Sequence, residues 1–228
     1  MAAQRIAAGL GPPGGTVSFH PEILTPRQRE VLRSLGPAAS EHGFYLGGGT
    51  AIALHLGHRR SVDFDWFRQP LLEDPLDLAR DLQEKGIPFV TGWTRPSTLY
   101  GTIRGVRVSF FRFRYRFLQP LVFWPEPGCP LAALEDLACM KLSAISQRGS
   151  RKDFVDLFAL GRHGFSLQQM LGWYREKFEV DDIAHLLYAL IYFDDADAEP
   201  RPSMIWKVSW REVKETIRRW VKSAEALG

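Results

Sequence analysis

Two stretches of the chain alternate with a period of two. Val62 to Phe67 interleaves apolar residues with Asp63 and Asp65, and Arg112 to Phe117 interleaves Arg112, Arg114 and Arg116 with Phe113, Tyr115 and Phe117. Successive side chains of a strand point to opposite faces, so both stretches predict strands with one polar face. Phe44 to Leu46 reads as a shorter strand. Gly47-Gly48-Gly49 then forces a tight turn, and Thr50 caps a short helix over Ala51 to Leu56. Upstream, Thr25-Pro26-Arg27-Gln28 carries a cap, a first-turn proline and a glutamine placed to close a capping box. It predicts a helix running to about Glu41, kinked at Gly36-Pro37. Asp74-Pro75 opens a further helix that stops at Gly86, and extended segments follow near 87–94, 98–104 and 106–117.

Beyond Pro130 the pattern becomes helical, with helices predicted near 132–148, 151–162, 166–177, 180–193 and 210–226. Ser209-Trp210-Arg211-Glu212 forms a capping box for the last of them, and Asp194 to Pro200 reads as an acidic loop. The order predicts an α+β protein: a flexible arm over 1–24, an α+β core over 25–128 and a helical domain over 129–228. With 228 residues, 45% of them hydrophobic and 24% charged, the chain can bury a full core without staples. Cys129 and Cys139 read as packing residues. The apolar stretch Ile183 to Phe193 falls well short of the roughly 18 residues that span a bilayer. The N-terminal sequence lacks the apolar core of a secretory signal. The expected location is therefore the cytoplasm, away from membranes.

The net charge of +3 is unremarkable, but its distribution is uneven. Gly86 to Pro125 contains no acid and holds Arg95, Arg104, Arg107, Arg112, Arg114 and Arg116. Such a run is either the solvated face of an amphipathic strand or a surface for polyphosphate or nucleic acid. His55 and His58 read as surface residues near a helix end, and His185 as a packing histidine.

The informative block runs from Phe44 to Asp65. A strand enters a glycine turn that opens a helix, so backbone N–H groups of Gly48, Gly49 and Thr50 can cradle an anion. On the next strand Asp63 and Asp65 share one face, where two carboxylates repel unless a cation lies between them. Oxygen-only ligands beside a triphosphate favour Mg²⁺. Taken singly, a glycine triplet is a turn and an Asp-x-Asp pair a solvated strand face. The 12 residues between Thr50 and Asp63 allow one short helix and a return strand, which joins them into one site.

This order resembles the signature of the polymerase-β-like nucleotidyltransferase superfamily, and within it most closely the AbiEii/AbiGii toxin family. Gly48-Gly49-Thr50 matches the first motif and Arg60-Ser61-Val62-Asp63-Phe64-Asp65 the second. Lys141-Leu142-Ser143-Ala144 through Arg148 matches the third, and Lys152-Asp153-Phe154-Val155-Asp156-Leu157 the fourth. The resemblance implies a small mixed sheet with helices followed by a C-terminal helical bundle. It also implies Mg²⁺-dependent (or Mn²⁺-dependent) transfer of NMP from an NTP to an acceptor hydroxyl. Asp63, Asp65, Lys141 and Asp156 would then be catalytic, with Asp63 and Asp65 holding the metal. Gly48, Gly49, Thr50, Arg60, Ser61, Lys141, Arg148 and Lys152 would bind the nucleotide. Implied partners are an RNA acceptor, tRNA being a plausible one, and a cognate antitoxin protein. Lys141, Arg148 and Lys152 share a face if they lie on one continuous helix, which Gly149-Ser150 can break. Many superfamily members carry a third carboxylate on a later strand; here Ser109 stands where it is expected. That departure keeps open a degenerate nucleotide- or RNA-binding module. An antibiotic-modifying enzyme is a further alternative, disfavoured because the arginines would repel a cationic antibiotic.

Overall fold

The computed structural model describes residues 18–225. Of the arm expected over 1–24, residues 1–17 lie outside that range, while Ile23 and Leu24 are buried behind the short 3-10 turn Pro21–Ile23. The arm is thus anchored from that turn onward. Thr25 caps α1 (Pro26–Glu41) with the expected box: its hydroxyl accepts from the Gln28 N–H (3.2 Å), and the Gln28 side chain accepts from the Thr25 N–H (2.9 Å).

The short strand β1 (Tyr45–Leu46) leads into α2 (Gly48–Leu56) and then β2 (Asp63–Arg68). Asp74 caps α3 (Pro75–Glu84), and β3 (Phe89–Arg95), β4 (Thr98–Ile103) and β5 (Val106–Arg112) follow as an antiparallel meander. A hairpin of β6 (Val122–Trp124) and β7 (Cys129–Leu131) closes the sheet. The strand order is β3-β4-β5-β2-β1-β7-β6, with β2 parallel to β5 and β1 parallel to β7. This is a small mixed sheet, as expected. The helices are α4 (Leu134–Gln147), α5 (Arg151–His163), α6 (Leu167–Phe178), α7 (Ala184–Ile191), α8 (Asp194–Ala198) and α9 (Trp210–Glu225). None of the described helices is long and apolar enough to cross a membrane.

The architecture differs from the sequence pattern at the domain boundary, after Arg112 and in the acidic stretch. The boundary expected at 128/129 falls inside the β6–β7 hairpin, and Leu131 pairs with Leu46, so β7 belongs to the sheet. One hydrophobic cluster runs from Ile23 through Phe110 to Val221, joining both halves. The Arg112–Phe117 alternation leaves the sheet after Arg112. After one last bond, from the Phe113 N–H to the Arg68 carbonyl (2.7 Å), it pairs with no strand among the described residues; instead Tyr115 packs on Phe178 (4.6 Å) and Phe117 on Tyr45 (5.1 Å) while the arginines stay exposed. The buried Lys177–Asp136 pair secures this segment, with Asp136 also accepting the Leu118 and Gln119 N–H groups. The acidic stretch expected as a loop forms α8, whose Asp197 binds Lys214 and the Trp210 indole N–H.

Candidate active site

The glycine turn is built against β2. Gly47 caps α2, and its N–H donates to the Asp65 carbonyl (2.9 Å). Gly48 has a φ of +62°, and a Cβ there would stand 2.8 Å from Asp65 Oδ2. Backbone and space both demand glycine at this position. A Cβ at Gly49 would stand 2.2 Å from Arg59 Nη2. The first turn of α2, with its unpaired N–H groups, therefore opens directly beside the Asp65 carboxylate. Thr50 is not the cap. It lies inside α2, buried, with its hydroxyl bonded to the Asp63 carbonyl oxygen and the Ser61 hydroxyl (2.6 Å), and so fixes the start of β2.

Asp63 and Asp65 share one face of β2 beside a cavity of about 430 Å³. Gly48, Gly49, Thr50, Ser61, Asp63, Asp65, Lys141, Arg148 and Lys152 all line it. Arg60 and Asp156 do not. Asp63 is paired with Arg107 (Nε–Oδ1 2.5 Å, Nη2–Oδ2 3.1 Å). Asp65 receives no hydrogen bond from a side chain among the described residues. Burial raises its pKa, the neighbouring Asp63 charge adds to this, and Lys152, Lys141 and Arg148 oppose it. Ser109 is the register partner of Asp65 on β5, so the position where a third carboxylate was expected does lie beside the pair.

The cationic wall comes from two helices rather than one. α4 ends at Gln147, Gly149 takes a φ of +52°, and Ser150 starts α5. Asp153 draws the pieces together, accepting from Lys141 Nζ (2.8 Å), Arg148 Nε (2.9 Å) and the Ser150 hydroxyl (2.7 Å). Lys152 has no acidic partner among the described residues and is exposed at the cavity.

Asp156 departs most from expectation. Fully buried, it accepts from Arg59 Nε (2.6 Å) and Nη2 (2.8 Å) and from His58 Nε2 (2.7 Å), and pairs with Lys141 (2.8 Å). Burial alone would raise its pKa, but Arg59, Lys141 and the His58 bond outweigh this and hold it well below the ordinary range. Its oxygens are committed to the protein, so it organises the site from beneath instead of reaching a metal. The arginine that lines the cavity is Arg59, not Arg60: Arg60 is exposed, its N–H on the Ser203 carbonyl. Adjacent arginines on an extended segment face opposite ways, and the sequence does not say which faces inward. His58 is buried and His55 packs on Phe19, so neither is a surface residue. Tyr100, Ser143 and Gln147 also line the cavity; Tyr100 faces Ser109 across β4–β5, a register that no local sequence signal reveals.

The profile of the family described as nucleotidyl transferase AbiEii toxin, type IV TA system, matches residues 103–223. The chain belongs to this family. The matched span contains Lys141, Arg148, Lys152 and Asp156 and begins beyond Asp63 and Asp65. Another relative is aq_aa25, an uncharacterized protein of Aquifex aeolicus (strain VF5). It is 36% identical over 202 residues, covering 87% of this chain and 96% of that one. Among solved structures, JHP933 from Helicobacter pylori aligns with a TM-score of 0.54 and 15% identity, over 92% of this chain and 96% of that one. MenT4, a nucleotidyltransferase toxin from Mycobacterium tuberculosis H37Rv, aligns with a TM-score of 0.53 and 14% identity, over 88% and 92%. At those identities the structures establish a shared fold. Membership of the AbiEii family makes the chain a nucleotidyltransferase.

Proposed function

We propose that this AbiEii-family chain moves NMP from an NTP to a hydroxyl of an RNA acceptor, tRNA foremost, using a divalent cation held by Asp63 and Asp65. The observation that carries this reading is the Asp65 carboxylate, inward-facing, without a side-chain donor among the described residues, and directly beside the Gly48 turn. The donor set suits a hard cation such as Mg²⁺ or Mn²⁺, which prefers carboxylate and phosphate oxygens. Asp63 and Asp65, side by side on one face of β2, are the two carboxylates that would hold it. Bound there, the cation would lower the pKa of the attacking hydroxyl and neutralise the leaving pyrophosphate.

The protein's own groups do the rest. N–H groups at the start of α2 receive phosphate oxygens, and Lys152 and Arg148 face them from the opposite wall. Lys141, fixed between Asp153 and Asp156, holds positive charge behind them. The acceptor oxygen bonds to the α-phosphorus as the bond to the bridging oxygen of pyrophosphate breaks. Arg107 pairs with Asp63 through a side chain that is 68% exposed, so it would be free to turn to solvent were Asp63 to hold a cation. In its toxin role the chain acts on cellular RNA and is opposed by a cognate antitoxin protein.

The test is incubation of the purified protein with Mg²⁺, each labelled NTP in turn and total tRNA. Label is expected in RNA, with Asp65→Ala reducing transfer by more than about 100-fold, the loss of several kcal/mol of metal assistance. NTP affinity without transfer, or full transfer by Asp65→Ala, overturns the proposal.

A further inference from the structure

The open face of the sheet continues past the carboxylates to its β3 edge. Register partners align there in a row: Asp65 on β2, Ser109 on β5, Tyr100 on β4 and Trp93 on β3. Trp93 reaches this row only through an irregularity in pairing. Val90 pairs with Thr102 and Thr91 with Gly101, so regular pairing would set Gly92 opposite Tyr100; the bulge between Thr91 and Trp93 sets Trp93 there instead. A bulge re-aims a side chain, often beside an active site. The indole stacks on the Tyr100 ring (3.7 Å, 24°) and remains 46% exposed. Arg95 lies over the same indole at 5.0 Å.

The charge on this face supports a polyanion. Of the arginines in the acid-free run, Arg104 is paired with Glu30, Arg107 with Asp63 and Arg116 with Glu176. Arg95, Arg112 and Arg114 have no acidic partner among the described residues, and Arg112 stands at the cavity. The glycine turn follows β1, on one side of β2, whereas the aromatic row runs from β5 to β3 on the other. The glycine turn and Trp93 thus flank the carboxylates from opposite directions, with Tyr100 inside the shared cavity between them.

We propose that this row is the acceptor platform: the last bases of a single-stranded RNA 3′ end stack on Tyr100 and Trp93, Arg95 and Arg112 hold the phosphates, and the terminal hydroxyl reaches Asp65. Three strand spacings put Trp93 about 14 Å from Asp65, within the reach of a few nucleotides. Stacking on aromatic faces accepts any unpaired base and rejects a duplex, whose bases are already stacked. The inference rests on the transferase reading of the cavity, but its binding limb is measured without transfer.

The experiment uses the full chain, a fluorescent single-stranded RNA and a blunt RNA hairpin of equal length. Wild type is expected to bind the single strand more tightly than the hairpin. Trp93→Ala should weaken single-strand binding about tenfold, as loss of one base stack does. It should raise the acceptor KM similarly and leave NTP affinity unchanged, and Trp93→Phe should restore most of the loss. Single-strand binding by Trp93→Ala equal to wild type, equal preference for the hairpin, or a fall in Tm without any change in acceptor binding each overturns it. Trp93-dependent binding by a wild type that transfers nothing supports the platform and defeats only the transferase reading.

Discussion

At Gly48 one hydrogen atom separates a working turn from a blocked one. Its left-handed backbone disfavours any Cβ by about 1–2 kcal/mol, and that Cβ would stand 2.8 Å from Asp65 Oδ2. Gly48→Ala is expected to lower stability by about that backbone amount in denaturant titration. It should lower NTP affinity far more, because Asp65 must move away from the α2 N-terminus. Ser109 offers the opposite experiment. Ser109→Asp sets a third carboxylate at the register position beside Asp65, where burial and Asp63 already push the carboxyl pKa up. The variant should lose Tm in EDTA through like-charge repulsion and regain it with Mg²⁺. It should also need less Mg²⁺ for half-maximal transfer. A Tm that ignores Mg²⁺ would remove the case for a cation at this pair.

At the scale of elements, α4 and α5 meet through buried charge rather than apolar contact alone. Asp156 satisfies Arg59, His58 and Lys141 at once. Truncating it leaves the buried Arg59 without a carboxylate and Lys141 with Asp153 alone, and a broken buried pair costs about 3–5 kcal/mol. Asp156→Ala should therefore unfold at much lower denaturant concentration, whereas Asp65→Ala should not; similar midpoints for the two would show that Asp156 does not hold the site together from beneath. Elements with dense local signals were legible: the Thr25 box, the Asp74 cap and the Asp63/Asp65 alternation reappear where the pattern set them. β6 and β7, with three residues each, are too short to show a period. The acid-rich segment after Phe193 has loop composition, yet it becomes α8 because Lys214 and Trp210 of α9 bind Asp197. The site divides the same way. Most residues carried by local motif line the cavity, whereas the inward turn of Arg59 and the buried fate of Asp156 depend on each other across 97 positions, and Tyr100 is placed by strand register.

Across the whole molecule a single core carries both halves, so acid should unfold them together. Two imidazoles set the first window. Burial lowers the His58 pKa despite its bond to Asp156, and burial brings His55, which donates to the Ala132 carbonyl, down to about 4. The unfolded chain binds protons at both near pH 6.5, while the folded chain refuses them. Stability is therefore complete above about pH 6.5 and falls as pH drops toward about 4. Asp153 and Asp156 act in the same direction but later. Their folded pKa values lie below those of the unfolded chain, because Lys141 with Arg148 for one and Arg59 with Lys141 for the other outweigh burial. Their contribution is lost only below about pH 4, where unfolded aspartates begin to protonate. Denaturant midpoints measured from pH 8 to pH 3 should thus show a first decline between about 6.5 and 4 and a steeper one beneath it. His55→Gln keeps a donor for Ala132 and removes one titrating group, so it should flatten the first decline and leave the second unchanged. A first decline as steep in His55→Gln as in wild type would show that this imidazole does not stay neutral in the folded chain.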